Sequence, residues 1–365
     1  MLDLIIRQIV KSICATLFIS LFLSCNNSGE SAESEKRLTE VLMDVGRSAE
    51  NVLYSFLSLI SDTLGFTAKT TTKKENIGNY FSGLGEKLGK ASAELEEVAK
   101  KAEGEGAREG EGSKNGTIAL AIRSAVETAK TTLSELKKHL ESLKDIGDAN
   151  PVGNAASGTT QGTKPDDTEL MKSYKAFKGI VKVAVDAGVM EPKVGDITVQ
   201  IGSANNSSGA KILATDAGAT STDAAKAASI LTTVSGEEML ASIVASGEGD
   251  AVLGAAADGS TTAMSFAKGA NSAANLANVA AKAAAVSGGI ALRSLVKSGT
   301  LASGASDGNT GGKEEVQKIG VTAVNKLLIA VEGLIKKTVK KVVEKAKGEI
   351  DKARAPKPAV SEASK

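Results

Sequence analysis

The chain has 365 residues, 42% of them hydrophobic, 3% aromatic with no Trp, and an almost even charge of 44 Lys and Arg against 43 Asp and Glu. That balance supplies neither a basic excess for nucleic acid nor an acidic excess for storing cations. One histidine and two cysteines are too few for a His/Cys metal cluster, and no cofactor is expected.

At the start of the chain Arg7 and Lys11 outweigh Asp3. The apolar run from Ser12 to Ser24 is shorter than the ~20 residues a membrane-spanning helix needs. Residues 1–24 therefore read as a signal peptide. Its apolar end, Leu21-Phe22-Leu23-Ser24, meets Cys25 and then the polar run Asn26-Asn27-Ser28-Gly29-Glu30. This junction has the form of a lipoprotein processing site, with cleavage between Ser24 and Cys25 and lipidation of the Cys25 thiol. The usual lipobox carries Leu where Phe22 stands, and the looser spirochaetal pattern suits this sequence better. A plain secretory signal is the alternative. Two or more acyl chains, at ~0.8 kcal/mol per buried methylene, hold a protein stably to a membrane. Cys14 lies in the removed segment, so the mature chain keeps only Cys25 and forms no internal disulfide.

After a polar tether over residues 25–34, the apolar spacing predicts long helices in a single domain over 35–355. Leu38, Val41, Leu42, Val45, Val52, Leu53, Phe56 and Ile60 form the first stripe, with Ser34 as N-cap and Gly65 as stop. A second helix is expected from about Lys73 to Ala102, opened by a Thr72/Glu75 capping box and weakened by Gly83, Gly85 and Gly89. A third carries Ile118, Ile122, Ala125, Ala129, Leu133, Leu136, Leu140 and Leu143 at nearly heptad spacing. Then come Asp167–Ala187, Thr222–Val234, and Ser235–Ala245 with a Ser235/Glu238 capping box. An alanine-rich pair over Met264–Lys297 should break at Gly288-Gly289. The longest helix runs from Lys313 to about Arg354, and residues 356–365 are expected to be a flexible tail.

Between these helices lie segments rich in Gly, Ser, Thr, Asn and Asp, at about 103–116, 149–165, 191–221, 246–260 and 298–312. Their low apolar content predicts surface loops. Only Asp196–Ile201 alternates like a strand, and it reads as an extended loop or minor hairpin. The expected fold is all-α with little or no β. It would be an elongated helical bundle with its N- and C-terminal helices paired near the membrane and its Gly/Ser/Thr-rich loops at the distal end.

Enzymatic chemistry finds poor material here. His139 sits among Lys137, Lys138 and Glu141 and reads as a solvated helix position rather than a general base. Gly104, Gly106 and Gly110 follow no strand, and Glu105, Glu109 and Glu111 would repel a phosphate. A solute-binding protein would need alternating strands and helices.

The processing site with its polar tether, the opening helix, the run Gly78-Asn79-Tyr80-Phe81 and the lysine-rich closing helix together resemble the variable large proteins. These are surface lipoproteins of relapsing-fever Borrelia, related to the recombining variable surface antigen of Lyme spirochaetes. The segment from Ala283 to Gly299, with its Ile290-Ala291-Leu292-Arg293 core, also resembles an internal helix of that relative. The resemblance implies a lipid-anchored, surface-exposed outer-membrane protein that acts as a variable major antigen. Its partners would be the outer membrane and host antibodies; whether copies self-associate in a surface coat is left open by the sequence. Solvated loops would tolerate exchange, because altering them leaves no core cavity.

The rival reading is an adhesin. Lys336, Lys337, Lys340, Lys341, Lys345 and Lys347 form a basic run that could bind sulfated glycosaminoglycan. Its bland explanations are a solvated helix face, lysines that favour the C-terminal end of the helix dipole, or proximity to anionic lipid. Binding of serum or complement proteins has no residue to carry it.

Overall fold

The computed structural model describes residues 64–106 and 114–354. The processing site at Ser24 and Cys25, the tether, residues 38–63 of the opening helix and its pairing with the closing helix, the loop residues 107–113 and the tail 356–365 lie outside that range. The described residues belong to two compact units. The larger comprises Leu64–Glu86 and Glu135–Thr338; the smaller includes Lys87–Ser134 and the chain from Val339 onward.

The elements, in chain order, are α1 (Lys74–Gly106), α2 (Lys114–Glu141), α3 (Asp167–Asp186), β1 (Gln200–Ile201), β2 (Ala204–Asn205), a 3-10 helix (Ser207–Leu213), α4 (Asp223–Thr232), α5 (Gly236–Val244), α6 (Ala263–Lys268), α7 (Ala273–Leu276), α8 (Ala283–Leu295) and α9 (Lys313–Arg354). The architecture is mostly helical. β1 and β2 form the minor hairpin, antiparallel with Gln200 opposite Asn205.

In the smaller unit Ile122, Ala125, Ala129 and Leu133 are buried, as the heptad spacing predicts, and so is Leu88 of the second stripe; Ala91, Ala99 and Val126 join them, while Leu95 is half-buried. Glu96 on α1 ties to α2 through Arg123 at 3.0 Å and Lys130 at 2.9 Å. The Lys130 hydrogen bond chiefly holds the Glu96 carboxyl below its usual range.

The larger unit packs Ile77, Phe81 and Leu84 with Leu136, Leu140, Leu170, Phe177 and Ile180 among its buried residues. Phe81 meets Phe177 edge-on at 6.3 Å. α3 begins where the Asp166 side chain accepts the Thr168 and Glu169 N–H groups, both at 3.0 Å. It ends before Gly188, whose φ of +88° only glycine adopts freely. The Ser235/Glu238 capping box is present, with Glu238 N–H donating to Ser235 Oγ at 3.1 Å and Ser235 N–H to Glu238 Oε2 at 2.7 Å. Ser235→Ala is expected to cost about 1 kcal/mol in urea unfolding. The Thr72/Glu75 box does not form. Thr72 Oγ1 accepts from Lys69 N–H instead, and Asn76 Oδ1 takes the Lys73 N–H.

Two expectations need correcting. Gly288 and Gly289 do not break a helix; they lie inside α8, every residue of which is buried. An added Cβ at Gly289 would sit 2.6 Å from Phe266 Cβ and 3.1 Å from Ala267 N, so the glycines serve the close approach of α8 to α6. Helix propensity, which disfavours them by about 1 kcal/mol each, yields here to packing.

The Gly/Ser/Thr-rich segments, moreover, are not all surface loops. Residues 103–106 and 114–116 are helical. Further on, Val152, Ala155, Leu301, Ala302 and Ser303 are buried, as are Val199, Ala210, Ile212 and Leu213. Main-chain hydrogen bonds knit three segments together. Ala156 N–H donates to Leu301 O (2.9 Å), Leu301 N–H to Asn154 O (2.8 Å), Ala302 N–H to Ile212 O (2.7 Å), Ser303 N–H to Thr160 O (3.1 Å) and Gly162 N–H to Ala214 O (2.9 Å). Small residues admit this backbone-to-backbone approach. A Cβ at Gly162, for example, would overlap Thr300 O. Burial of irregular chain becomes affordable once its N–H and C=O groups are paired.

Candidate functional site at the loop surface

What the knitted layer leaves in solvent is a set of short turns in the larger unit. Gln200 and Gly202–Asn205 at the hairpin, Gly254–Ala256, Asp258–Ser260 and Ser306–Thr310 are exposed. Several are held by their own polar side chains. Asp258 accepts from Ser260 Oγ (2.7 Å) and Ser260 N–H (2.8 Å), which keeps its carboxyl below the usual range. Asp250 accepts from Gly247 N–H (2.9 Å) and Thr262 Oγ1 (2.5 Å); Asp307 accepts from Gly158 N–H (3.1 Å), and Glu314 from Gly308 N–H (2.8 Å). Such Asx-type and carboxylate-capped turns fix the backbone locally, without a side chain committed to the core.

The larger unit also holds two buried cations that periodicity did not single out. Lys74 Nζ donates to Val296 O (2.8 Å), Gly299 O (2.5 Å) and, more loosely, Arg293 O (3.5 Å) at the C-terminal end of α8. Burial pulls its pKa down to about 8, with Asp148 opposing that shift and Arg293 adding to it. Arg293 is fully buried, and burial lowers its pKa too; its Nε donates to Ala267 O at 2.9 Å. Partial burial works against the Asp148 carboxylate. Hydrogen bonds from Ser298 N–H and from Asn150, together with nearby Lys74, still hold its pKa below the ordinary value. These groups bind the α1 start, the 145–150 turn and the α8 end into one corner. A substrate could not reach Lys74 or Arg293. The sequence did carry a signal for Lys74, because a lysine at the first helical position opposes the helix dipole and requires another reason to be there.

His139 is not freely solvated. It is half-buried, with its ring over Gly179, where an added Cβ would overlap it; burial, then Lys138, lowers its pKa. The lysines of the basic run lie on α9, where Lys336, Lys337, Lys340, Lys341 and Lys345 are exposed; the side chain of Lys347 lies outside the described residues. Carboxylates accompany three of them: Lys337 pairs with Glu237 at 2.7 Å, while Lys340 and Lys341 lie 3.7 and 3.6 Å from Glu344. Among the described residues no group of three His, Cys, Asp or Glu is placed to hold a metal, and no helix is long and apolar enough to cross a membrane.

A family model described as Borrelia lipoprotein matches residues 49–350. The chain is 59% identical to Variable large protein 25 of Borrelia hermsii over 328 residues, covering 89% of this chain and 88% of that protein. With Variable large protein 21 of the same species it shares 53% over 354 residues, 94% of each.

The chain belongs to the variable large protein family. Variable large proteins of that one species extend down to 24% identity with it, as for Variable large protein 17. Membership in this lipoprotein family, rather than any count of missing residues, is what sets the variable large protein apart from enzymes. Its fold is shared with the Lyme disease variable surface antigen VlsE of Borrelia burgdorferi, at a TM-score of 0.64 and 21% identity, covering 86% of this chain and 98% of that one.

Proposed function

We propose that this variable large protein is an outer-membrane coat antigen, anchored through lipid on Cys25, whose solvated turns are exchanged between variants so that antibodies to one coat miss the next. The observation that carries the reading is the division of the loops into a knitted, buried layer and self-held exposed turns. Substitutions in the turns at 202–205, 254–256, 258–260 and 306–310 leave core packing untouched, whereas substitutions at Leu301, Val152 or the buried Ala257 would disturb it. The spread of identities within one species agrees with many alternatives to a single fold. This confines tolerated variation more tightly than solvated loops throughout would.

The adhesin reading comes second, because Glu237 and Glu344 already stand beside three lysines of the α9 run. Such exposed pairs contribute little stability, but they lower the net field a sulfated chain would meet.

Palmitate labelling tests the anchor. The wild-type protein is expected to incorporate label and to be shaved by protease on intact cells, while Cys25→Ala incorporates none and is released from the membrane. A labelled Cys25→Ala protein, or full protection of the wild type, would contradict the reading. Sera raised against this protein should lose recognition when the exposed turns are replaced by those of a sibling, and keep it when α8 is replaced.

A further inference from the structure

We propose that the groove between α5 and α9, together with the Met190 side chain beside it, is a self-complementary docking surface for a second copy of this chain. Between α3 and β1 the chain is irregular and carries apolar side chains into water. Met190 is 84% exposed, Ile197 45% and Val194 40%. Met190 also lines a groove of about 280 Å³ whose apolar floor is formed by the buried Leu240 and Leu334, and whose charged lining comprises Lys193 and Lys337 with Glu191, Glu237 and Glu238.

A knob and a hole therefore stand side by side on one surface, with both signs of charge in the lining. Under a two-fold rotation, the knob of each copy would enter the hole of the other, and the two lysines would face acidic side chains across the contact. This is the self-complementarity that an isologous dimer requires. Methionine suits the role, because its unbranched thioether adapts to irregular gaps. A partner of single charge would find part of this lining repulsive, which favours a second copy over a polyanion or a uniformly basic peptide. The Lys337–Glu237 pair is exposed on both sides, so exchanging partners across the contact costs little. All these residues lie in the larger unit, and the contact does not depend on Cys25 or on lipid.

Sedimentation velocity of the mature chain over a concentration series, comparing wild type with Met190→Asp, tests the proposal. At its exposure Met190 can change without unfolding the protein, which a matching thermal transition would verify. The expected result is a monomer–dimer equilibrium in the wild type, weakened roughly tenfold or more in Met190→Asp. Oxidative cross-linking on intact cells supplies the second arm. Met190→Cys should give a disulfide-linked dimer far more readily than Thr310→Cys, an exposed position in another turn. A wild type that stays monomeric throughout, a dimer indifferent to Met190→Asp, or equal cross-linking at both positions would each overturn the proposal. A host protein found on the groove of a monomeric chain would do the same.

Discussion

Lys74→Met is expected to destabilise the protein more at alkaline than at neutral pH, by roughly 2 kcal/mol at pH 7 and roughly 5 kcal/mol above pH 10.5. The substitution keeps length and apolar volume but removes the donor shared by Val296 O, Gly299 O and Arg293 O, leaving Val296 O with only the Gly299 N–H at 3.2 Å and taking the ammonium from the other two carbonyls in the interior. Against that loss stands a gain, because a desolvated ammonium is removed as well. The folded pKa of about 8 lies below the ordinary 10.5, so the folded state binds this proton less tightly than the unfolded chain does. Below pH 8 the wild type carries the full cost of the buried charge, about 3 kcal/mol. Between pH 8 and 10.5 that cost fades, since the unfolded chain still holds the proton the folded one has lost, and wild-type stability rises with pH relative to the variant. Urea titrations of both proteins at pH 7 and at pH 10.5 measure the difference. A penalty independent of pH would mean that Lys74 is hydrated in the folded state.

Gly78→Ala should lose about 2–3 kcal/mol, while Gly83→Ala, five residues along the same helix, should gain about 1 kcal/mol. Both exchanges bring the same propensity advantage to α1. They differ in surroundings alone. A Cβ at Gly78 would overlap Lys144 O and stand 2.8 Å from Leu143 O, backbone atoms that can move only by displacing the 143–147 turn; a Cβ at Gly83 would meet nothing within 4 Å. Thermal unfolding of the two variants resolves the contrast, and a stabilising Gly78→Ala would refute the packing account. The run Gly78-Asn79-Tyr80-Phe81, noted for its resemblance to the family, thereby acquires a physical role. Gly78 admits the neighbouring turn, the Tyr80 hydroxyl donates to Glu332 on α9, and Phe81 packs on Phe177. Glu332 also accepts the Gly65 N–H at 2.9 Å, so one carboxylate holds two separate parts of the chain.

The long amphipathic helices were legible in the sequence because their stripes recur over many turns. Leu133, Leu136, Leu140 and Leu143 are all buried as the heptad spacing predicts, and the Ser235/Glu238 cap forms where its residues fall. Composition misled where burial comes from backbone rather than from side chains. Gly288 and Gly289 carry the mark of a helix stop, yet what they permit is contact with Phe266 and Ala263 across the interface. Polar, glycine-rich runs such as 298–304 likewise look solvated until the distant segments that pair with them are known, and no local pattern announces a partner about 150 residues away. The buried cations were missed for a related reason. A lysine in a carbonyl cage and a lysine in water are the same letter, and only its place at the start of α1 hinted at the difference. His139 was misread in the same direction, since its charged neighbours pointed to solvent while Gly179 had made room for its ring.

The seams joining 154–162, 212–214 and 300–303 are made by main-chain atoms, which every residue type except proline supplies alike. A chimaera that takes its first half from one parent and its second from another would thus inherit matching seams even where few letters agree, so long as the small residues that let the backbones meet, such as Gly162, are kept. Such a hybrid need not relearn how to close its own interior.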